Sequence, residues 1–330
     1  MTSWGTVTLA DEPSELLVAF CAYHARLGAS EIHVFLDRTP PREVKTLSTI
    51  PGVIVTHCSP AFWDEHGGRP GLQTHRQDIV ANVAYMDAAV DWLAHIDADE
   101  FIHATDDMGE ELSAVPPGIV GLRMQTRERA WRTGPEPTGI FDGIFRKPIP
   151  GSLTLDRPIL GPLARYTQRG LAGHAVGKSI VRTGLGLTMS IHAPKDPKSH
   201  HLMESQTMRI LHFDGLTPLH WTLKRLKYAV LPHADKRIDG QHFRWNQIAA
   251  IRECTTMEEA LTLQRKITCV PPEQEAQLRT LKLIEDVPDF DPAADIAAVL
   301  PDAFVQLSVR RFNRRILRKN AVFVRELGIT

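Results

Sequence analysis

The chain has 330 residues, of which 43% are hydrophobic and 23% charged, with 22 glycines. This is a globular composition that excludes a disordered, collagen-like or disulfide-scaffold chain. Its 38 basic and 39 acidic residues leave a net charge of −1, without the bulk electrostatic signature of a nucleic-acid binder. Cys21, Cys58, Cys254 and Cys269 are widely spaced and form no CxxC pair, which reads as reduced thiols. With neither a signal-peptide pattern nor an apolar run of ~18 residues, we expect a cytoplasmic protein.

From the start of the chain, Thr6 to Leu9 reads as a short strand. A helix opens at Pro13, carries Leu16, Phe20, His24 and Leu27 at helical spacing and stops at Gly28. The run Glu31 to Asp37 is a second strand ending in a carboxylate, so the segment reads as a βαβ unit of a parallel sheet. A helix over 42–49, broken by Pro51-Gly52, precedes a third strand at Val53 to Thr56. The Pro- and Gly-rich stretch 59–71 reads as a loop.

From Gln77, the spacing of Ile79, Val83, Met86 and Val90 predicts an amphipathic helix with those residues on its buried face. It leads to a fourth strand, Trp92 to Ile96, and then to Asp97-Ala-Asp-Glu100. A fifth strand follows at Ile119 to Met124. Residues 131–175, dense in Pro, Gly and Arg, read as the kind of loop region that covers a cleft. Short strands are expected at Lys178 to Arg182 and Leu187 to Ile191. Leu219, Leu223, Leu226 and Val230 mark a helix, and Val305, Val309, Phe312 and Ile316 predict another over 302–327.

Ligands of open α/β sheets bind at the carboxyl ends of the strands, where Asp37 and the Asp97–Asp99 pair fall. If the strand continues through them, residues i and i+2 aim to one side. Crowded carboxylates repel, and a divalent cation bridging phosphate oxygens relieves the repulsion, so metal-assisted departure of a phosphate leaving group is the chemistry suggested. A bare DxD is more often a solvated acidic turn. Here it follows a Trp-containing apolar strand and precedes Glu100-Phe-Ile102.

The string Trp92-Leu-Ala-His-Ile-Asp-Ala-Asp-Glu-Phe-Ile102 resembles the DxD segment of family 2-like glycosyltransferases, in the bacterial subgroup also similar to family 92. Tyr23-His24 with Leu27-Gly28, Arg76-Gln77 with Asn82, Lys178-Ser-Ile-Val-Arg182 and Leu211-His-Phe213 resemble further elements of that family, over residues 5 to 250. The resemblance implies an α/β fold of GT-A (Rossmann-like) type, with a mainly parallel sheet flanked by helices. It places a glycosyltransferase domain over 1–250 and leaves 251–330 as a helical C-terminal extension. It further implies a nucleotide-sugar donor, a glycan or lipid-linked glycan acceptor and Mn²⁺ or Mg²⁺. Asp37, Gln77, Asp97, Lys178 and Lys224 would serve the nucleotide sugar, and Asp97, Asp99 and His212 the metal.

Past the DxD, the candidates for a general base are Glu128, Asp142, His192, Asp196 and Asp214. His192 is chosen because imidazole titrates near neutrality, the alternative being a structural histidine. The tail carries Arg310, Arg311, Arg314, Arg315, Arg318, Lys319 and Arg325 with no acid among them. We expect that helix to pack on the protein with its basic face in water, the alternative being peripheral contact with an anionic membrane. A metal-dependent phosphohydrolase and a non-catalytic nucleotide- or carbohydrate-binding protein of the same fold are the rival functions.

Overall fold

Every residue of β1 (Trp4–Ala10) is buried, because a sheet covered on both faces needs no polar alternation. The computed structural model describes residues 2–38, 45–151, 156–195, 201–230 and 242–327. After β1 come α1 (Ser14–Leu27), β2 (Glu31–Leu36), β3 (Val53–His57), α2 (Pro60–Glu65), α3 (Gln73–Asp87), β4 (Trp92–His95), β5 (Glu100–Ala104) and α4 (Met108–Ala114). The middle of the chain forms β6 (Gly121–Arg132), β7 (Ile144–Arg146), α5 (Asp156–Leu160), β8 (Lys178–Arg182) and β9 (Leu202–His212). Then follow α6 (Pro218–Ala229), α7 (Phe243–Arg252), α8 (Met257–Thr268), β10 (Cys269–Val270), α9 (Pro272–Thr280), β11 (Ile284–Glu285), α10 (Pro292–Val299), α11 (Val309–Lys319) and α12 (Ala321–Glu326). No helix of the described residues is long and apolar enough to cross a membrane.

The chain forms two compact units, one of residues 1–125, 176–210 and 289–305, the other of 126–175, 211–288 and 306–330. Each unit is drawn from separate stretches of the chain, and β6 and β9 contribute residues to both. The residues beyond 250, expected as a helical extension, are mostly helical, supply β10 and β11 as well, and are shared between the units.

In the first unit, β4, β1, β2 and β3 are neighbours in that order and all parallel. β8 joins β4 antiparallel, and the start of β6 joins β8 antiparallel. The architecture is thus mixed α/β with a mainly parallel central sheet flanked by helices, as the sequence implies. One face packs on α3: Val7, Leu9, Phe35 and Leu93 meet Val80, Ala81, Ala84 and Tyr85. α1 packs on β2, β5 and α10, with Tyr23 and Phe101 against Phe290. α1 ends as expected: Gly28 adopts φ 102° and its N–H caps the helix, a left-handed conformation costly to residues with a Cβ.

In the second unit, the end of β6 pairs antiparallel with β7, β7 antiparallel with β11, and β10 parallel with β6. A core of Ala130, Ile144, Ile149, Leu160, Val270, Leu278, Leu283 and Ile284 lies on these strands. Residues 131–175 therefore hold β7, α5 and a 3-10 turn over Gly161–Tyr166 instead of loop alone.

Several expected elements differ. The helix over 42–49 is a 3-10 turn at Lys45–Thr49, and 42–44 lie outside the described residues. Ser59 caps the N-terminus of α2 inside the expected loop, its hydroxyl accepting from the Phe62 N–H. In α3 the buried face is Arg76, Gln77, Val80, Ala81, Ala84 and Tyr85, whereas Met86 is 76% exposed. The apolar stripe of the sequence is rotated away because the polar pair Arg76-Gln77 is buried for its hydrogen bonds. Leu187 to Ile191 is not a strand. The tail helix starts at Val309, capped by Ser308, and is interrupted at Asn320.

Candidate active site

β2 and β4 both end at the carboxyl edge of the parallel sheet. There the Asp37 N–H donates to the Ala10 carbonyl and the Ile96 N–H to the Val7 carbonyl. Two consecutive residues at the start of α3 reach this edge. Arg76 lies 3.1 Å from Asp37 Oδ2, and Gln77 Nε2 donates to Asp97 Oδ1. Arg69 forks onto Asp37 from the other side, at 2.8 and 2.7 Å from its two oxygens. Asp37, Gln77 and Asp97 are thus brought together by one helix.

The strand does not persist through the acidic run. The Asp97 N–H donates to the Glu100 carboxylate and the Glu100 N–H to the Asp97 carbonyl, each at 2.9 Å. That reciprocal pair makes a tight turn, so the period of 2 expected for Asp97 and Asp99 does not apply. Residues three apart are folded together instead, and Lys178 sits with both: Nζ is 2.9 Å from Asp97 Oδ2 and 3.2 Å from Glu100 Oε2. Its third partner is the Ile191 carbonyl at 2.9 Å, which uses the three donors of an ammonium. Lys178, expected at the nucleotide sugar, acts in this arrangement as an internal counterion. Glu100 escaped sequence reasoning. The signal was available in its position three residues after Asp97, the reach of a turn.

Electrostatics follow from burial. Lys178 is 1% exposed and Glu100 fully buried, whereas Asp97 keeps 29% of its side chain in solvent. Burial works against the charged forms of Asp97 and Lys178. Their mutual attraction prevails, holding the carboxyl below its ordinary range and the ammonium above its own. His95, buried beside them, is pushed down to about 4 by burial and then by the Lys178 charge, so it is neutral at pH 7. Asp99 is 5% exposed.

His192 follows the irregular segment 187–191. Its Nδ1 stands 2.9 Å from the Gly177 carbonyl and its own carbonyl accepts from Ser179 Oγ. A carbonyl can only accept, so in the neutral ring Nδ1 carries the proton and Nε2 is the basic nitrogen. Met189, just upstream, is held at both backbone groups by Asn82 of α3, at 2.8 and 3.0 Å.

In the second unit, His212 packs its ring 4.9 Å from that of His174, and its Nδ1 is 3.7 Å from Glu128 Oε2. Glu128 accepts from Arg146 and from the N–H groups of Ala172 and Gly173. A side chain at Gly173 would put Cβ 2.5 Å from His212 Cε1, so glycine is required for close approach. Asp214 accepts from Arg225, Trp221 and Arg244. Burial opposes its charge, but Arg225, with His212 and Lys224 beyond, holds its carboxyl well below the usual range. Asp142 accepts from the N–H groups of Thr138 and Gly139. Glu128, Asp142 and Asp214 are therefore engaged as structural hydrogen-bond acceptors, and Asp214, held low, is a poor proton acceptor. Asp196 lies outside the described residues.

No protein-family model and no curated protein sequence matches the chain. Among solved structures, it is similar to S. aureus TarS 1-349, with a TM-score of 0.33 and 14% identity over 99% of this chain and 88% of that one. It is also similar to S. aureus TarS, with a TM-score of 0.35 and 13% identity over 85% of this chain and 52% of that one, so it spans about half the length of the latter.

Proposed function

We propose that the chain is a glycosyltransferase of GT-A type that moves a sugar from a nucleotide-diphosphate donor to a glycan acceptor with the help of Mn²⁺ or Mg²⁺. One observation carries this reading. Two strand-end aspartates, Asp37 and Asp97, are presented at the carboxyl edge of a parallel sheet by consecutive residues of α3, and ligands of such sheets bind at that edge. The sequence resemblance to family 2-like glycosyltransferases supplies the substrate class.

The residues present fit a divalent ion in a limited way. Lys178 already stands between Asp97 and Glu100, which leaves Asp99 as the carboxylate of this run proposed to hold the ion. When bound there, the ion would supply charge neutralisation for a departing diphosphate. In this proposal Asp97, fixed by Gln77 and Lys178, receives the ribose hydroxyls without rearrangement, and Asp37 faces the nucleoside. His192 takes the acceptor proton at Nε2 while Nδ1–H on the Gly177 carbonyl keeps the ring oriented.

The test is a calorimetric titration of the full chain with UDP, GDP, CDP and dTDP, each with and without Mn²⁺. One of the four should bind in a Mn²⁺-dependent manner, and the matching nucleotide sugar should release nucleoside diphosphate on turnover. Release of free phosphate instead would establish the phosphohydrolase. No binding to any of the four would remove the reading.

A further inference from the structure

α11 has no part in the functional reading above. Phe312 and Ile316 are buried and dock this helix on α6, where the Phe312 ring meets His220 and Asn313 accepts from the Thr217 hydroxyl. The packing expected of the tail is therefore present, and it decides which way the helix faces. Residues three and four apart share a side of a helix, so Arg310, Arg314, Leu317 and Arg318 form one stripe, and all four are exposed. Arg311, Arg315 and Lys319 interact within the protein, so the outward charge of α11 is that of Arg310, Arg314 and Arg318.

Two further facts give this convex stripe a direction. From 303 to 325 the sequence contains no Asp or Glu, so no acid of its own segment offsets the three arginines. Next in the chain, α12 opens with the apolar run Ala321-Val-Phe-Val324, yet none of its residues is buried. Leu317 is 40% and Val322 64% exposed. Cationic and uncovered apolar side chains therefore occur together over 310–324. Water, or a free polyanion, satisfies only the cations. The surface of an anionic bilayer satisfies both, with phosphates for the guanidinium groups and an interfacial layer for the aliphatic ones.

We propose that the arginine stripe of α11, with the apolar run of α12, docks this chain on the surface of an anionic lipid bilayer. Phe312 and Ile316 are committed to α6, so α11 rests at the level of the headgroups and does not turn its main apolar side into the lipid. Attraction of exposed charges to anionic headgroups then dominates, and it is screened within a Debye length. Binding by this surface is accordingly sensitive to salt and to lipid charge.

Flotation of the full chain with phosphatidylcholine vesicles, with and without one third phosphatidylglycerol, at 0.1 and 0.5 M salt tests this. Capture is expected only with phosphatidylglycerol and only at the lower salt. Each arginine at such a surface contributes about fivefold in affinity, so Arg314→Gln/Arg318→Gln should weaken capture at least tenfold. Val322→Ser, which changes no charge, should weaken it at least twofold. Gln is a good helix former and the replaced side chains are exposed, so neither variant should melt below the parent. Arg265→Gln/Lys266→Gln, with the same loss of charge on exposed positions of α8, should bind as the parent does. The proposal is overturned if phosphatidylcholine alone captures the chain as well, if 0.5 M salt does not release it, or if either tail variant keeps the parental affinity. It is equally overturned if the α8 variant loses as much as the α11 variant, or if a DNA duplex captures the chain at 0.1 M salt while the vesicles do not.

Discussion

Lys178 is the residue on which the acidic turn depends. With its ammonium between Asp97 and Glu100, replacing it by Met leaves two carboxylates close together at low exposure. Breaking a buried pair by removing one partner costs about 3 kcal/mol or more, and the partial exposure of Asp97 keeps this at the lower end. The pH dependence follows from the directions of the shifts. The depressed Asp97 carboxyl stabilises the fold above its unfolded-state pKa of about 4, a contribution lost as pH falls through the folded value. The raised Lys178 stabilises below about pH 10, a contribution lost in strong base. Neither changes between pH 5 and 7 in the parent. In Lys178→Met the paired carboxylates gain protons instead, so its urea-unfolding deficit relative to the parent should shrink as pH is lowered from 7 to 5. A variant as stable as the parent at pH 7 would show that the turn holds without its counterion.

Asp99 belongs to the same scale but to a different property. Asp99→Asn keeps shape and loses charge. If it holds the ion, Mn²⁺-dependent nucleotide binding should disappear and the transfer rate should fall by a hundredfold or more, the scale of losing a main electrostatic partner of a leaving group. Calorimetry and a donor-turnover assay check the two separately. Near-parental turnover would take Asp99 out of the mechanism.

At the scale of elements, α3 explains why sequence reasoning found this edge yet described it imperfectly. The Arg76-Gln77 and Asn82 signature was legible as a resemblance. The structure gives each residue a physical task, on Asp37, Asp97 and Met189 respectively. The hydrophobic stripe misled because those tasks require polar groups on the buried face, against the rule that apolar residues choose it. β6 shows the same effect: Arg127, Glu128 and Arg129 are at most 5% exposed in its interior, so of a strand of twelve residues the sequence shows only the part up to Met124. The signal of β1, α1, β2 and β4 was clear because their burial is apolar. Asn82→Ala tests the pinning role of α3 directly. It strands both backbone groups of Met189, so a loss of about 2 kcal/mol is expected in urea unfolding. A loss below ~0.5 kcal/mol would mean that the apolar contacts of α3 suffice.

For the whole molecule the balance of charge is nearly even, 38 basic against 39 acidic residues, so general self-repulsion is weak near neutrality and individual buried groups set the acid response. His24 and His95 are the informative ones. His24 donates from Nδ1 to the Phe20 carbonyl, accepts the Ile102 N–H at Nε2 and stacks on Phe101. It joins α1 to β5 only as a neutral ring. Burial pushes its pKa down to about 3 and that of His95 down to about 4. An unfolded histidine titrates near 6.5, so between pH 6.5 and 4 the unfolded chain binds protons that the folded chain refuses. Stability must therefore fall as pH falls, by about 1.4 kcal/mol per pH unit for each histidine once the unfolded one is fully protonated. Together they give a slope of roughly 2.7 kcal/mol per pH unit near pH 5. The carboxylates held low, such as Asp97, add their own losses only below about pH 4, so the two windows separate. Urea unfolding at pH 7, 6 and 5 should show this onset. His24→Gln, less stable at pH 7 because the stacking is lost, should lose stability about half as steeply on acidification. A flat profile down to pH 5, or an undiminished slope in His24→Gln, would show that these rings gain protons without unfolding the protein.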